Sequence, residues 1–114
     1  MAVMVTGGAG YIGSHVVRLL KQRGDDVVIV DDMSNGVRSR VEGLPVVEVD
    51  LASPQAPEAL RGVFADYSVD SVIHFAAKKQ VGESVERPLW YYQQNVGGLT
   101  NLLQAMEDLS LIHI

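Results

Sequence analysis

Thr6-Gly7-Gly8-Ala9-Gly10-Tyr11-Ile12-Gly13 is the stretch on which the fold turns. Before it stands Met1-Ala2-Val3-Met4-Val5, an apolar run short enough for a buried strand, and after it Tyr11 to Arg23 carries apolar residues at helical spacing. A glycine-rich turn between a strand and a helix is the setting in which such a fingerprint binds a dinucleotide. The start of a helix leaves backbone N–H groups unpaired and carries roughly half a positive charge, so it attracts a pyrophosphate. Glycine permits the tight turn and has no Cβ to hold the phosphates away. Two registers fit: Gly8, Gly10 and Gly13, or Gly7, Gly10 and Gly13.

Working outward, the first helix runs to about Arg23, with Ile12, Val16, Leu19 and Leu20 expected on its buried face. Lys21 and Arg23 suit its negative end and Gly24 is placed to cap it. Val27-Val28-Ile29-Val30 is uniformly apolar, as a parallel strand covered on both faces would be, and it ends at Asp31-Asp32. Met33 to Leu44 reads as a loop with one helical turn. Pro45 opens a third strand, Val46 to Val49, ending at Asp50-Leu51. Ser53-Pro54 reads as an N-cap with proline in the first turn of a second helix, which buries Leu60, Val63, Phe64 and Tyr67. Val72-Ile73-His74-Phe75 is the fourth strand, followed by Ala76-Ala77 and a loop containing Lys78, Lys79 and Gly82. A last helix from about Pro88 to Asp108 carries Leu89, Tyr92, Val96, Leu99, Leu103 and Met106 at alternating steps of three and four, with Leu102 beside them. Gly97 and Gly98 interrupt it at about 1 kcal/mol each relative to alanine, which points either to a close approach or to a tolerated weak spot.

The result is an α/β fold: a doubly wound parallel sheet of order 3-2-1-4, with a ligand crevice at the strand C-terminal ends, where the order reverses. One domain fits in 114 residues. A net charge of −5 without a basic cluster argues against a nucleic-acid partner. There is no cysteine, no apolar run long enough to span a membrane and no signal-like start, so a soluble cytoplasmic protein is expected. The histidines His15, His74 and His113 are isolated, so no metal site is expected.

Several residues gather at the crevice. Asp31, eighteen positions after Gly13, can accept from both hydroxyls of an adenine ribose and repels a 2′-phosphate, which favours NAD over NADP. Asp50 can accept from an adenine amino group. Ala76 and Ala77 are small enough to let a ribose or pyrophosphate pass. Lys79 is in reach of a second ribose, and Asn95 can donate and accept nearby. His74 reads as a core histidine, and Arg38 and Arg40 as solvated loop residues.

The chain resembles the UDP-glucose 4-epimerases of the extended short-chain dehydrogenase/reductase superfamily. The resemblance rests on Thr6-Gly7-Gly8-Ala9-Gly10-Tyr11-Ile12-Gly13-Ser14-His15, on Asp31-Asp32-Met33-Ser34-Asn35-Gly36, and above all on His74-Phe75-Ala76-Ala77-Lys78-Lys79-Gln80-Val81-Gly82-Glu83-Ser84 with Pro88-Leu89-Trp90-Tyr91-Tyr92-Gln93-Gln94-Asn95-Val96. It covers about residues 1 to 108 and selects the register Gly7, Gly10, Gly13. It implies NAD held around Tyr11, Ile12, the segment Asp31, Asp32, Met33, Ser34, Asn35 and Gly36, then Asp50, Leu51, Phe75, Ala76, Ala77, Lys79 and Asn95. It also implies a UDP-hexose substrate, exchanged between glucose and galactose forms through a 4-keto sugar, and a homodimeric parent whose last helix here packs toward the partner. Two departures stand out: Asp32 where the family usually has asparagine, and Val49 where it usually has glycine.

The family's proton-transfer pair is Tyr-x-x-x-Lys. Four positions after Tyr11, Tyr67, Tyr91 and Tyr92 stand His15, Ser71, Asn95 and Val96, so the pair is not in these residues. Residues 1–108 therefore read as the N-terminal part of the NAD-binding domain, without the substrate lobe, and inactive on their own. Leu109-Ser110-Leu111-Ile112-His113-Ile114 matches, letter for letter, the translation of a common transposon-adapter end (CTG TCT CTT ATA CAC ATC), and the expectation is a non-native tail. A related nucleotide-sugar dehydratase or uronate epimerase, or a non-catalytic dinucleotide sensor, are the competing readings.

Overall fold

The computed structural model describes residues 2–78 and 81–108. The elements are β1 (Ala2–Thr6), α1 (Tyr11–Arg23), β2 (Asp26–Asp31), a 3-10 turn (Arg38–Val41), β3 (Val46–Glu48), α2 (Ala56–Asp66), β4 (Ser71–His74), α3 (Val81–Glu86), α4 (Pro88–Tyr92), a π turn (Gln93–Gly97) and α5 (Gly98–Asp108). The strands form one parallel sheet in the order β3-β2-β1-β4. This is the doubly wound, Rossmann-type arrangement expected from the sequence. The Lys79 and Leu109–Ile114 expectations lie outside the described residues.

Side chains alternate across the sheet because successive Cβ atoms of a strand point to opposite faces. Met4, Val28 and Val30 face α2 and α5 in a cluster with Leu60, Phe64, Leu102 and Met106. Val3, Val5, Val27 and Ile29 face α1, against Val17 and Leu20. Each fully buried side chain of this size contributes about 1.5–3 kcal/mol. At the end of α1, Gly24 takes the left-handed conformation and the Gly24 and Asp25 N–H groups return to the Lys21 and Leu20 carbonyls, as the glycine cap predicts.

Four expectations are corrected. The face of α1 is rotated: Gly13, Val17 and Leu20 are buried, whereas Ile12 and Leu19 are exposed, because Gly13 must sit against the glycine turn. The second helix starts at Ala56; Ser53 holds the preceding turn, its hydroxyl accepting from the Gln55 N–H, and Tyr67 lies exposed beyond the helix. Residues 81–86, read as loop, form the short helix α3.

The fourth correction is the last helix: read as one helix from Pro88 to Asp108, it is α4, a π turn and α5, and its apolar stripe is split, with Met106 and the adjoining Leu102 buried and the rest outward. Leu89 is 85 % and Tyr92 68 % exposed, with Val96, Leu99 and Leu103 also outward; the buried line is Tyr91, Gly98, Leu102, Ala105 and Met106. Periodicity located an apolar stripe, but the helix has two, and small residues allowed the other to meet the sheet. Gly98 explains the choice: a Cβ there would stand 3.2 Å from Leu51 Cβ, whereas at Gly97 the nearest atom is Gln93 Cγ at 3.9 Å. Gly97→Ala is accordingly expected to stabilise the chain by about 0.5–1 kcal/mol and Gly98→Leu to destabilise it by about 1–3 kcal/mol. Urea unfolding midpoints check both signs.

Candidate functional site

The C-terminal ends of the strands enclose a crevice of about 300 Å³. Its floor is the glycine turn. Gly7 has φ +69, and a Cβ on it would lie 2.8 Å from the Ala76 nitrogen; a Cβ on Gly13 would overlap the Gly7 carbonyl oxygen. The Gly7 carbonyl accepts from the Gly10 N–H at 3.1 Å. Gly7, Gly10 and Gly13 line the crevice, whereas the missing Cβ of Gly8 faces the Ile29 side chain in the core. Packing thus distinguishes the two registers: Gly8 serves the core and Gly7 the turn. Beyond the turn, α1 begins at Tyr11 with Gly10 as its N-cap, no capping side chain and no acidic residue in its first turn. Its first N–H groups and positive end are left for an anion.

Asp31 closes the adjoining wall. Although it ends β2, it is buried, and both carboxylate oxygens accept from backbone N–H groups: Oδ2 from Ala9 at 3.1 Å and Oδ1 from Met33 at 2.8 Å. It ties the glycine turn to the loop after β2, and the Val37 N–H bonds the Ala9 carbonyl from the same loop. Ser34, Asn35 and Gly36 line the crevice with Asp31 and Asp32. Met33 does not: it adopts φ 63, and its side chain packs in the cluster beneath.

On the far side Asp50, Leu51, Phe75, Ala76 and Ala77 line the crevice. Asp50 is exposed and its Oδ1 accepts from the Ala52 N–H at 3.1 Å. Asn95 lies in the π turn, a local widening frequently found at functional sites. Its amide pairs twice with the main chain of Lys78, accepting from the N–H at 2.7 Å and donating to the carbonyl at 3.0 Å. It therefore holds the loop after β4 in place.

Sequence reasoning passed over Lys78, whose ammonium reaches Asp32 Oδ2 at 3.1 Å and Ser34 Oγ at 2.9 Å. It also treated Arg40 as solvated, yet Arg40 lines the crevice, 5.9 Å from the centre of the Tyr11 ring. Lys78 stands in the block that carries the resemblance but was given no role of its own, and Arg40 carried no motif signal; both arrive from loops that only the fold brings together. Burial raises the Asp32 pKa, but the Ser34 N–H, the Ser34 hydroxyl and Lys78 outweigh it and hold the carboxyl below its ordinary value. The charge added by Asp32 is thus locally paired.

His74, expected in the core, is half-buried at the end of β4; it does not line the crevice and its ring is hydrogen-bonded. Its Nδ1 lies 2.6 Å from the hydroxyl of the buried Thr6, which accepts from the Phe75 and Ala76 N–H groups at 3.1 and 3.3 Å. With two donors already on its oxygen, we assign the Thr6 proton to Nδ1 and the ring proton to Nε2. Burial pushes the His74 pKa below 6.5. The unfolded chain then binds the extra proton first, so this contribution to stability is complete above about pH 6.5 and is lost as the pH falls toward the folded-state pKa. Thermal midpoints are expected to decline as the pH falls below about 6.5, and His74→Asn to flatten that decline. Among the described residues no group of histidines and carboxylates is arranged to hold a metal, and no helix is long and apolar enough to cross a membrane.

Comparison with known proteins covers nearly the whole chain. The profile of the "NAD dependent epimerase/dehydratase family" matches residues 3–113. A UDP-glucose 4-epimerase of Erwinia amylovora is 50 % identical over 116 residues, covering 95 % of this chain and 34 % of that protein. The crystal structure of a UDP-glucose 4-epimerase from Brucella ovis in complex with NAD superposes with a TM-score of 0.88 at 42 % identity, over 96 % of this chain and 33 % of that one. That of Bifidobacterium longum, in complex with NAD+ and UDP, superposes with a TM-score of 0.85 at 33 % identity, over 97 % and 35 %. The chain spans about a third of the length of these relatives. With its glycine turn, buried Asp31 and 3-2-1-4 sheet, it belongs to the NAD-dependent epimerase/dehydratase family.

Proposed function

We propose that this chain is the NAD-binding part of a UDP-glucose 4-epimerase. The observation that carries the reading is the buried Asp31, held by two backbone N–H groups beside a helix N-terminus that no side chain caps. The residues fit the cofactor: a Cβ on Gly7 or Gly13 would strike the backbone, so only glycines allow this tight turn, and the opening of α1 beyond it carries no side-chain cap and no acidic residue. The N–H groups opening α1 would bind the pyrophosphate. The remaining lone pairs of Asp31 would accept from the adenine ribose and Asp50 from the adenine, while Ala76 and Ala77 leave room along the second wall.

NAD, when bound, supplies a hydride acceptor and donor for C4 of a UDP-hexose. The chain's own part is to hold and orient that cofactor. The tyrosine and lysine that would move the proton are not among its residues. We place its action in the cytoplasm, without a nucleic-acid partner, in keeping with the net charge of −5. We also assign the outward Leu89, Tyr92, Val96, Leu99 and Leu103 stripe to the contact between two copies of the complete protein. A monomer in sedimentation of that protein would overturn the dimer.

Titration with NAD and NADP tests the central reading. The chain is expected to bind NAD and to discriminate against NADP by at least about tenfold, while UDP-galactose turnover appears only in the complete protein. Equal affinity for the two cofactors, or turnover by the 114-residue chain, would overturn it.

A further inference from the structure

Asp32 follows β2 and Lys78 follows β4, the two strands that flank β1. A bond between them therefore spans the end of β1 and the glycine turn. Lys78 Nζ donates to Asp32 Oδ2 at 3.1 Å and to Ser34 Oγ at 2.9 Å. Asp32 Oδ1 accepts from the Ser34 N–H at 3.0 Å and its hydroxyl at 2.7 Å. The Lys78 and Asp32 side chains are 15 % and 32 % exposed, far less than the Arg38–Glu48 pair on the edge of the sheet at 60 % and 59 %. Asn95 pins the Lys78 main chain, and the ammonium lies 5.7 Å from the centre of the Trp90 ring. Lys78 is thus held at both ends, and Asp32, Ser34, Lys78 and Asn95 all line the crevice.

We propose that Asp32, Ser34 and Lys78 form a strap across the mouth of the crevice, which opens for the dinucleotide to enter or leave and so sets its exchange rate. The idea rests on the NAD-binding reading above. An unpaired lysine beside a pyrophosphate site would draw the phosphates in; here Asp32 already neutralises it. With the Lys78 backbone fixed by Asn95, opening needs only the side chain to release its two acceptors. An ion pair that breaks in this way is weakened by salt, so exchange becomes salt-dependent.

Stopped-flow measurement with NADH as the probe tests the strap in the protein that carries this chain. Lys78→Met is expected to raise the association and dissociation rates together by about fivefold. The dissociation constant then changes little. Salt at about 1 M, where screening acts within about 3 Å, should speed exchange in the parent and leave Lys78→Met unaffected. The charge-swapped double variant, Asp32→Lys with Lys78→Asp, should restore slow exchange. In the 114-residue chain Trp90 is the only tryptophan, and its emission without cofactor should shift in Lys78→Met. NADH binding with association unchanged or slowed in Lys78→Met overturns the strap alone, because Lys78 then serves as a direct phosphate contact or a bystander. Absence of any NADH binding overturns the strap and the cofactor reading together.

Discussion

Gly13→Val is expected to abolish cofactor binding and to lower the thermal midpoint by about 8–24 °C. A Cβ at position 13 would overlap the Gly7 carbonyl oxygen and stand 3.0 Å from Gly8 Cα. The turn cannot retreat. Gly7 already occupies φ +69 against the Ala76 backbone, and its carbonyl is bonded to the Gly10 N–H. Forcing a side chain into such packing costs about 2–3 kcal/mol, at about 4–8 °C per kcal/mol for a domain of this size. The same displacement moves the N–H groups that would face the pyrophosphate, so NAD affinity should fall by more than about 100-fold. Gly62→Ala is the matching control: it lies in α2 with nothing within 4 Å of a new Cβ, and it should stabilise by about 0.5–1 kcal/mol. Calorimetry and NAD titration read both effects, and a Gly13→Val chain with an unchanged midpoint would show that the turn is softer than its contacts imply.

Asp31→Ala is expected to cost about 2–3 kcal/mol of stability and to erase the preference for NAD over NADP. The buried carboxylate is the acceptor for the Ala9 and Met33 N–H groups at 3.1 and 2.8 Å. Ala9 is fully buried, so its N–H would be left without water or partner, at about 1–3 kcal/mol. Met33 sits nearer solvent and contributes less. With the carboxylate gone, the charge that repels a 2′-phosphate is gone too, while Arg40 remains at the crevice. NAD should therefore weaken by about tenfold or more and NADP should not. Urea midpoints with paired titrations check this, and an unchanged NAD-to-NADP ratio would assign Asp31 a purely structural role.

The two substitutions act on the part of the molecule that was most legible from the sequence. The glycine turn, Asp31, Asp50 and Ala76-Ala77 could be placed because each sits at the end of a strand whose apolar run marks it. Parallel winding then carries all those ends to one crevice. Loops and helix faces were less legible. Lys78 and Asp32 are 46 residues apart, and nothing in either segment announces that they meet. The last helix has apolar residues on more than one face, and the periodicity selected Leu89, Tyr92, Val96, Leu99, Leu103 and Met106 with Leu102 beside them, of which Leu102 and Met106 are buried and the others point outward. Gly98, rather than the stripe, marks the side that approaches Leu51.

Residue order is enough to establish the strand-turn-helix opening, the parallel sheet and the acid at the tip of β2, because these follow from local chemistry: apolar runs, glycine's freedom and periods of two and 3.6. Three matters needed the chain folded. Which glycines turn and which pack depends on Ile29 standing beneath Gly8. Which stripe of α5 is buried depends on how closely its backbone approaches Leu51. Whether Asp32 adds free charge at the crevice depends on Lys78, delivered from the far side of β1. Each is a contact between segments distant in sequence, and only packing brings them together.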